Sequence, residues 1–569
     1  MHYNSTAYNI FHYSAEFMNF WLMYNFKLIP KVDYVAIPDF PEKAVATWGL
    51  VFYREADIFY EPDNIMSELN MASLIVYNMI VESLSGLPSW LKEGFATFID
   101  AVICDYFSSH YHKMDFFVVQ RQHESLRFNF HLNKNLPQIN KLDINLFPGF
   151  LRYNKAFSIL RMLHYLVTDH VFPLGMKQYL KENSDSIFQL KIFWTSMQHA
   201  LDELHPDNNI ILVRKMDGWT KQKSYPILKL KRENGCTSIL LENFDSIDGE
   251  LWIPMTYTTQ NNPNFSKTSF RDVKWLKFTK EELFTIDVSK FFIEDGWIII
   301  NLQQAGYYRV NYDTENWKKI AKYLNDMEYT NIHILNRAQI IDDAYHFLTT
   351  GQIDSSLFWE ITNYLSRETS FIAWYPMVKA FEYMSSVFPL SNIGAYDIKE
   401  KIQKILNGVL QKIPYEKLNM STHIAQEIAT WACILDDFDC KKLATSNLEQ
   451  YLSNRTRNKF LPREEWTYCN GLAMSNNILW INVFDIYQEE FDNKYLRFLA
   501  CSENIAMIKK FIMLVTMKNS NKTIKHKDCM SSLHFIIAKH AKNSIILDYI
   551  FANYNKIIPR QATVAILID

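Results

Sequence analysis

Histidine, cysteine and carboxylate side chains hold metals and activate nucleophiles, so their spacing is read first. A helix that carries hydrolytic zinc needs two His one turn apart with a Glu beside the first as base. No H-E-x-x-H occurs in the 569 residues, and no histidine lies between His12 and His110. His110 and His112 are two apart, which puts them on nearly opposed faces of a helix or on one face of a strand. The surrounding run DYFSSHYHKMDFF reads as helical. His123-Glu124 is followed by Arg127 where a second His would be needed. A substitute metal site is therefore not expected, and these residues read as surface or polar-core histidines. Cys104, Cys236 and Cys529 are not expected to be activated thiols. The other four cysteines fall between Cys433 and Cys501. Cys433 with Cys440, and Cys469 with Cys501, could form two pairs, which would suit an oxidising compartment.

Composition excludes several classes of function. With 59 basic and 62 acidic residues the net charge is -3, and no long Lys/Arg run is present, so no nucleic-acid partner is expected. No run of 18 apolar residues exists, so no membrane span is expected. The opening MHYNSTAYNIFHYSAEF lacks the basic start and apolar core of a signal peptide, and QATVAILID lacks the spacer and tail of a lipid-anchor signal. Only 14 glycines argue against phosphate-loop architectures, while 15% aromatic residues point to a large core. Five acceptor sequons, at Asn4, Asn264, Asn419, Asn454 and Asn521, are compatible with a secreted glycoprotein.

These side chains are positioned by elements whose periodicity changes along the chain. KVDYVAIPDF and WGLVFYREADIFY read as strands. From Asn64 the period is helical, with Leu69, Ala72, Val76, Met79 and Ile80 on one face, until Gly86 and Pro88 stop it. Ser89 then fits as N-cap of WLKEGFATFIDAVICDYF, and helices dominate to about residue 217. Residues 218–313 hold many short strand-like runs, which suggests a small β-sandwich. Residues 314–569 read as helices without a fixed repeat, an irregular array of paired helices.

At WGLVFYRE, WLKEGFA, LRYNKAFSILRML, QQAGYYRVNYD and NRAQIIDDA the chain resembles the aminopeptidase N family of zinc aminopeptidases. The motifs occur in the family's order. The cysteine framework WACILDDFDC, EEWTYC and FLACS matches as well and supports the pairs Cys433–Cys440 and Cys469–Cys501. The resemblance implies a multidomain, mainly α fold: a partial thermolysin-like α/β catalytic-type domain over 1–217, a small β-sandwich over 218–313, and a C-terminal helical superhelix over 314–569. It also implies an extracellular or cell-surface setting. The family's N-terminal β domain and the start of its catalytic domain have no counterpart here.

The resemblance further implies a degraded site. Alignment with the family's zinc helix puts Tyr77 and Val81 at the two His positions and Asn78 at the base. Valine has no donor atom, neutral tyrosine is a poor zinc ligand, and an amide takes no proton from water. Glu93 matches the third ligand, although the linker LSGLPSW is about seven residues shorter than the family pattern, which should displace it. In KAVAT, Ala46 stands for the Glu that anchors a substrate's α-amine and Thr47 for the Asn beside it. Lys43 replaces a Gly there, a positive charge that would repel an α-ammonium. Tyr153 matches the tyrosine that stabilises the oxyanion, with Ala156 for a following Gly. The family uses one zinc; none is expected here. The resulting reading is an inactive relative that binds peptides or another protein. An active zinc aminopeptidase, or a gene fragment without independent function, are the alternatives.

Overall fold

The computed structural model describes residues 10, 12–17, 31–38, 40–47, 49–58, 65–83, 89–107, 113–131, 149–182, 190–222, 224–233, 236–243, 250–279, 285–289, 296–387, 396–411, 423–453, 464–474, 476–516, 524, 526–541 and 543–553. The fold is multidomain and mainly α, with a few small sheets. It divides into two compact units, Met1–Tyr364 with Ser370–Ala380, and Leu365–Thr369 with Phe381–Asp569. Among the described residues no helix is long and apolar enough to cross a membrane.

The first unit begins with a three-stranded sheet. Leu50–Arg54 is central, parallel to Asp33–Ile37 and antiparallel to Ala44–Thr47, which forms an edge. Val51 and Tyr53 point inward and pack on Met71, Ile75 and Met79 of the helix Ile65–Ser83. The expected second strand stops early: residues after Arg54 form a short helix, Glu55–Ile58. Glu55 and Asp57 in its first turn favour a helix start, where unpaired N–H groups attract negative charge. The helix from Asn64 materialises as Ile65–Ser83. Val76, Met79 and Ile80 are buried as the period requires, and Ala72 is half-buried. Leu69, Gly86, Pro88 and the Ser89 cap lie outside the described residues or side chains.

The next helix, Ser89–Phe107, packs against Gly149–Val167 and against Ile65–Ser83. Gly94 explains how closely the first pair approaches. A Cβ on Gly94 would lie 2.3 Å from the Cβ of Ala156 and 3.2 Å from backbone atoms of that helix, so only glycine fits. The EGFA motif is thus first a packing device, and it fixes where Glu93 sits.

Among the described residues, 227–311 supply eight short strands. Ile227–Glu233 pairs with Cys236–Glu242 in a four-stranded sheet whose outer members are Arg309–Asn311 and Thr285–Asp287. Glu250–Met255 pairs with Lys274–Thr279, and Tyr257–Thr259 with Ile298–Ile300. Two family motifs join this β region to the helices. Arg309 of QQAGYYRVNYD, fully buried, donates from Nη1 to Asp342 Oδ2 and Asp343 Oδ1 of NRAQIIDDA, both at 2.7 Å. Asp342 also accepts from Arg127 Nε at 2.8 Å. Burial alone would raise the Asp342 carboxyl, but Arg127, Arg309 and His123 together hold it well below the usual carboxylate range.

The second unit is helical, from Tyr396–Leu410 to Ser544–Ala552. It carries both expected disulfides, Cys433–Cys440 and Cys469–Cys501, while Cys104, Cys236 and Cys529 are free thiols. The bridges close sequence separations of 7 and 32, so each should stabilise by roughly 2 to 4 kcal/mol, the longer one more. Cys501→Ser should therefore lower stability more than Cys440→Ser, measured by thermal melting. Peptide mapping without reductant should recover only Cys104, Cys236 and Cys529 as thiols.

Candidate functional site

The helices Ile65–Ser83 and Ser89–Phe107 bring two polar stripes together. On the first, Asn70, Ser73 and Tyr77 recur at helical spacing; on the second, Glu93, Thr97 and Asp100 do the same. Across the pair, Tyr77 Oη donates to Glu93 Oε2 at 3.2 Å. Burial pushes the Tyr77 phenol well above its usual range; the Glu93 carboxylate adds to this, and so does nearby Tyr153, while Arg121 acts in the opposite sense. Tyr77, Glu93, Tyr153 and Arg121 thus share one electrostatic neighbourhood. Asn78, expected from the resemblance at the base position, turns back on its own helix: Nδ2 donates to Leu74 O at 2.7 Å. Val81 is half-buried.

A cavity of about 340 Å³ opens beside this pair. Tyr77, Ser73, Asp100, Arg121, Asp57 and Lys43 contribute to its wall. The residues of the KAVAT edge strand divide. Lys43 reaches the cavity, whereas Ala46 packs on the apolar cluster of Val51, Met71, Ile75 and Met79. Thr47 Oγ1 donates to Leu50 O at 3.0 Å and is exposed. Sequence reading named Lys43, Tyr77 and Glu93 but overlooked Ser73, Asp57, Asp100 and Arg121. The signal for Asp100 was its place seven residues after Glu93, on the same helix face. Arg121 gave no such signal, because it lies on a π-helical turn, Val118–Gln122, that shifts helical phase.

Two expectations about reactive groups need correction or placement. Cys104 does have an acidic neighbour: its Sγ donates to Asp100 Oδ1 at 3.2 Å. Burial pushes this thiol up, and Asp100 pushes it further, so it is a weak nucleophile. His110 and His112 lie outside the described residues. His123 is a core residue, 0% exposed, with Nε2 at 2.6 Å from Gln304 Oε1. The spacing to Arg127 serves an ion pair, since both side chains meet Asp342.

Burial lowers His123 to about 4, against the opposing pull of Asp342. Its unfolded value is near 6.5, so the fold favours the neutral imidazole. This contribution is complete above about pH 6.5 and is lost as pH falls toward about 4, on the order of 3 kcal/mol in all. His123→Gln should flatten the acid slope of the urea midpoint between pH 6.5 and 4, even if it lowers stability at pH 7.5. An unchanged slope would show that another group carries the effect.

Comparison with known proteins places the chain in a family. Residues 6–219 match the peptidase family M1 domain, and residues 297–566 match the ERAP1-like C-terminal domain. Aminopeptidase N of Plutella xylostella is 26% identical over 570 residues, covering 93% of this chain and 58% of its own length. Aminopeptidase N of Oryctolagus cuniculus is 24% identical, with 93% and 57% covered, and aminopeptidase Ey of Gallus gallus 25%, with 92% and 56% covered. The chain therefore spans less than three-fifths of the length of these relatives. Two domain matches in succession, together with relatives aligned over nine-tenths of its residues, establish that the chain belongs to the aminopeptidase N family.

Proposed function

We propose that this chain is a catalytically inactive aminopeptidase N-like protein that binds peptides or another protein chain outside the cell. The observation that carries the reading is the Tyr77–Glu93 hydrogen bond. Zinc in this family chemistry needs two neutral imidazoles and a carboxylate around an open position. At the matching positions stand a protonated phenol, a valine and a carboxylate that already accepts from that phenol. Among the described residues no three His, Cys, Asp or Glu side chains gather in a way that could hold a metal ion. This donor set does not fit zinc, and no step is derived through it.

The remaining losses point the same way. Asn78 is an amide bonded to its own helix, and cannot serve as base. Tyr153, the surviving oxyanion-type tyrosine, has no nucleophile to assist. Ala46 leaves no carboxylate for an α-amine. A cavity of about 340 Å³ at this position, of ordinary ligand-binding size, supports retained binding. The two disulfides support an oxidising, extracellular setting. Purified protein should contain no stoichiometric zinc and should not hydrolyse aminoacyl anilides. One zinc per chain by elemental analysis, with chelator-sensitive turnover, would overturn the reading.

A further inference from the structure

We propose that Asn264 carries an N-linked glycan, an inference that rests on the extracellular setting proposed above. Of the five acceptor sequons, Asn264-Phe265-Ser266 is the one that falls within the described residues. It follows the strand Tyr257–Thr259, in a turn where Asn261, Asn262, Pro263, Ser266 and Lys267 are exposed. The middle residue of the sequon anchors this turn. Phe265 is 8% exposed, its ring centroid lies 6.5 Å from that of Trp297, and its carbonyl accepts from Gln303 Nε2 at 3.0 Å. Asn264 N donates to Thr258 Oγ1 at 2.9 Å, which ties the acceptor residue back to the strand.

The Asn264 amide is divided between the fold and solvent. Its Oδ1 accepts from Ser266 N at 3.0 Å and from Ser266 Oγ at 2.7 Å, an Asx turn that the hydroxyl closes a second time. Because Ser266 N can only donate, the atom facing it is the carbonyl oxygen, and the amino group faces away. That Nδ2 donates to none of the described residues and is not a buried atom. Glycan transfer consumes only Nδ2. One N–H is exchanged for a bond to C1 of an oligosaccharide carried on a lipid pyrophosphate. The C1–O bond breaks, the pyrophosphate departs with the electron pair, and a base of the transferase takes the amide proton. Oδ1 is untouched, so both bonds from Ser266 survive, and the hydroxyl that the transfer requires keeps a place in the folded turn. A bulky, polar glycan here keeps partner proteins off this turn, so a protein-binding surface must lie elsewhere.

The test expresses the full chain behind a cleavable secretion signal in cultured eukaryotic cells. An amidase that releases N-glycans, used in heavy-oxygen water, leaves each formerly glycosylated Asn as a heavy-labelled Asp. Peptide mapping by mass then locates the label. More than half of the molecules should carry it at residue 264. Ser266→Thr should keep the label, since the hydroxyl remains, whereas Ser266→Ala should abolish it. A protein without label at residue 264, or one whose label survives Ser266→Ala, overturns the inference. If the unlabelled chain is nevertheless exported with both disulfides formed, the extracellular reading stands. If it is retained in the cell and none of the five sequons is labelled, that reading falls as well.

Discussion

Asp342→Ala should destabilise the protein by about 3 to 5 kcal/mol. The carboxylate is 1% exposed and meets three cationic or titratable side chains: Arg309, Arg127 and, at 3.7 Å, His123. Removing it leaves the fully buried Arg309 with Asp343 as its remaining acid. Arg127, 21% exposed, is the less costly orphan because water can reach it. The effect comes from the excess positive charge left when Arg309 and Arg127 share one acid, together with the lost hydrogen bonds to Asp342, since buried pairs themselves gain little over apolar packing. A double-mutant cycle separates the two. Arg309→Met alone should be costly, because it leaves two adjacent carboxylates buried together. Combined with Asp342→Leu it should recover at least 1 kcal/mol relative to the sum of the singles, read from urea denaturation. A loss below about 1 kcal/mol in Asp342→Ala would mean that water enters and solvates Arg309.

That network marks the boundary of what the sequence reveals. QQAGYYRVNYD and NRAQIIDDA are recognisable as family motifs, yet nothing local shows that Arg309 reaches Asp342 or that His123 and Arg127, some 215 residues earlier, join them. Such contacts follow from how whole elements dock, and periodicity reports only which face of an element is apolar. Where the face alone matters, the reading holds: Val76, Met79 and Ile80 are buried on Ile65–Ser83. The cysteine pairs were legible because the motifs around them are distinctive. The strand expected across Arg54 fails for the opposite reason, since Glu55 and Asp57 change the local preference within a run that otherwise looks β-prone. The candidate site lies between these cases. Residue types at positions 46, 77, 78 and 81 can be read directly, whereas the approach of Tyr77 to Glu93 depends on helix packing set by Gly94 against Ala156 and on a linker outside the described residues.

The same geometry revises what restoring the lost residues should do. Introduced together, Tyr77→His, Asn78→Glu and Val81→His rebuild H-E-x-x-H on Ile65–Ser83, with Glu93 as the remaining carboxylate. The resemblance leads to the expectation that Glu93 is displaced, but its Oε2 lies 3.2 Å from the Tyr77 hydroxyl, on the side where residue 77 projects. Tyr77→His also releases Glu93 from that phenol. Zinc uptake near one per chain is therefore the expected result. Turnover of an aminoacyl anilide should nevertheless stay near background, because binding a metal restores the nucleophile but not the placement of the substrate. Ala46 packs on an apolar cluster and supplies no anchor for the α-amine. A charged hydrogen bond of that kind is worth about 1.5 to 3 kcal/mol, or roughly 10- to 150-fold in rate if realised in the transition state. Lys43 adds repulsion from the cavity wall. A displaced substrate loses more still, since an error of about 1 Å costs on the order of 100-fold. Adding Lys43→Gly to the triple variant, which takes a positive charge off the cavity wall, should raise turnover with zinc content unchanged, whereas Ala46→Glu should add nothing, because that side chain packs on the apolar cluster. The comparison is made by elemental analysis and anilide hydrolysis, with the Plutella xylostella aminopeptidase N assayed alongside. A triple variant that already works within tenfold of that enzyme would make the lost anchor and Lys43 incidental. One that takes up no zinc would show that the contracted linker, despite the Tyr77 contact, holds Glu93 out of reach of a metal shared with residues 77 and 81.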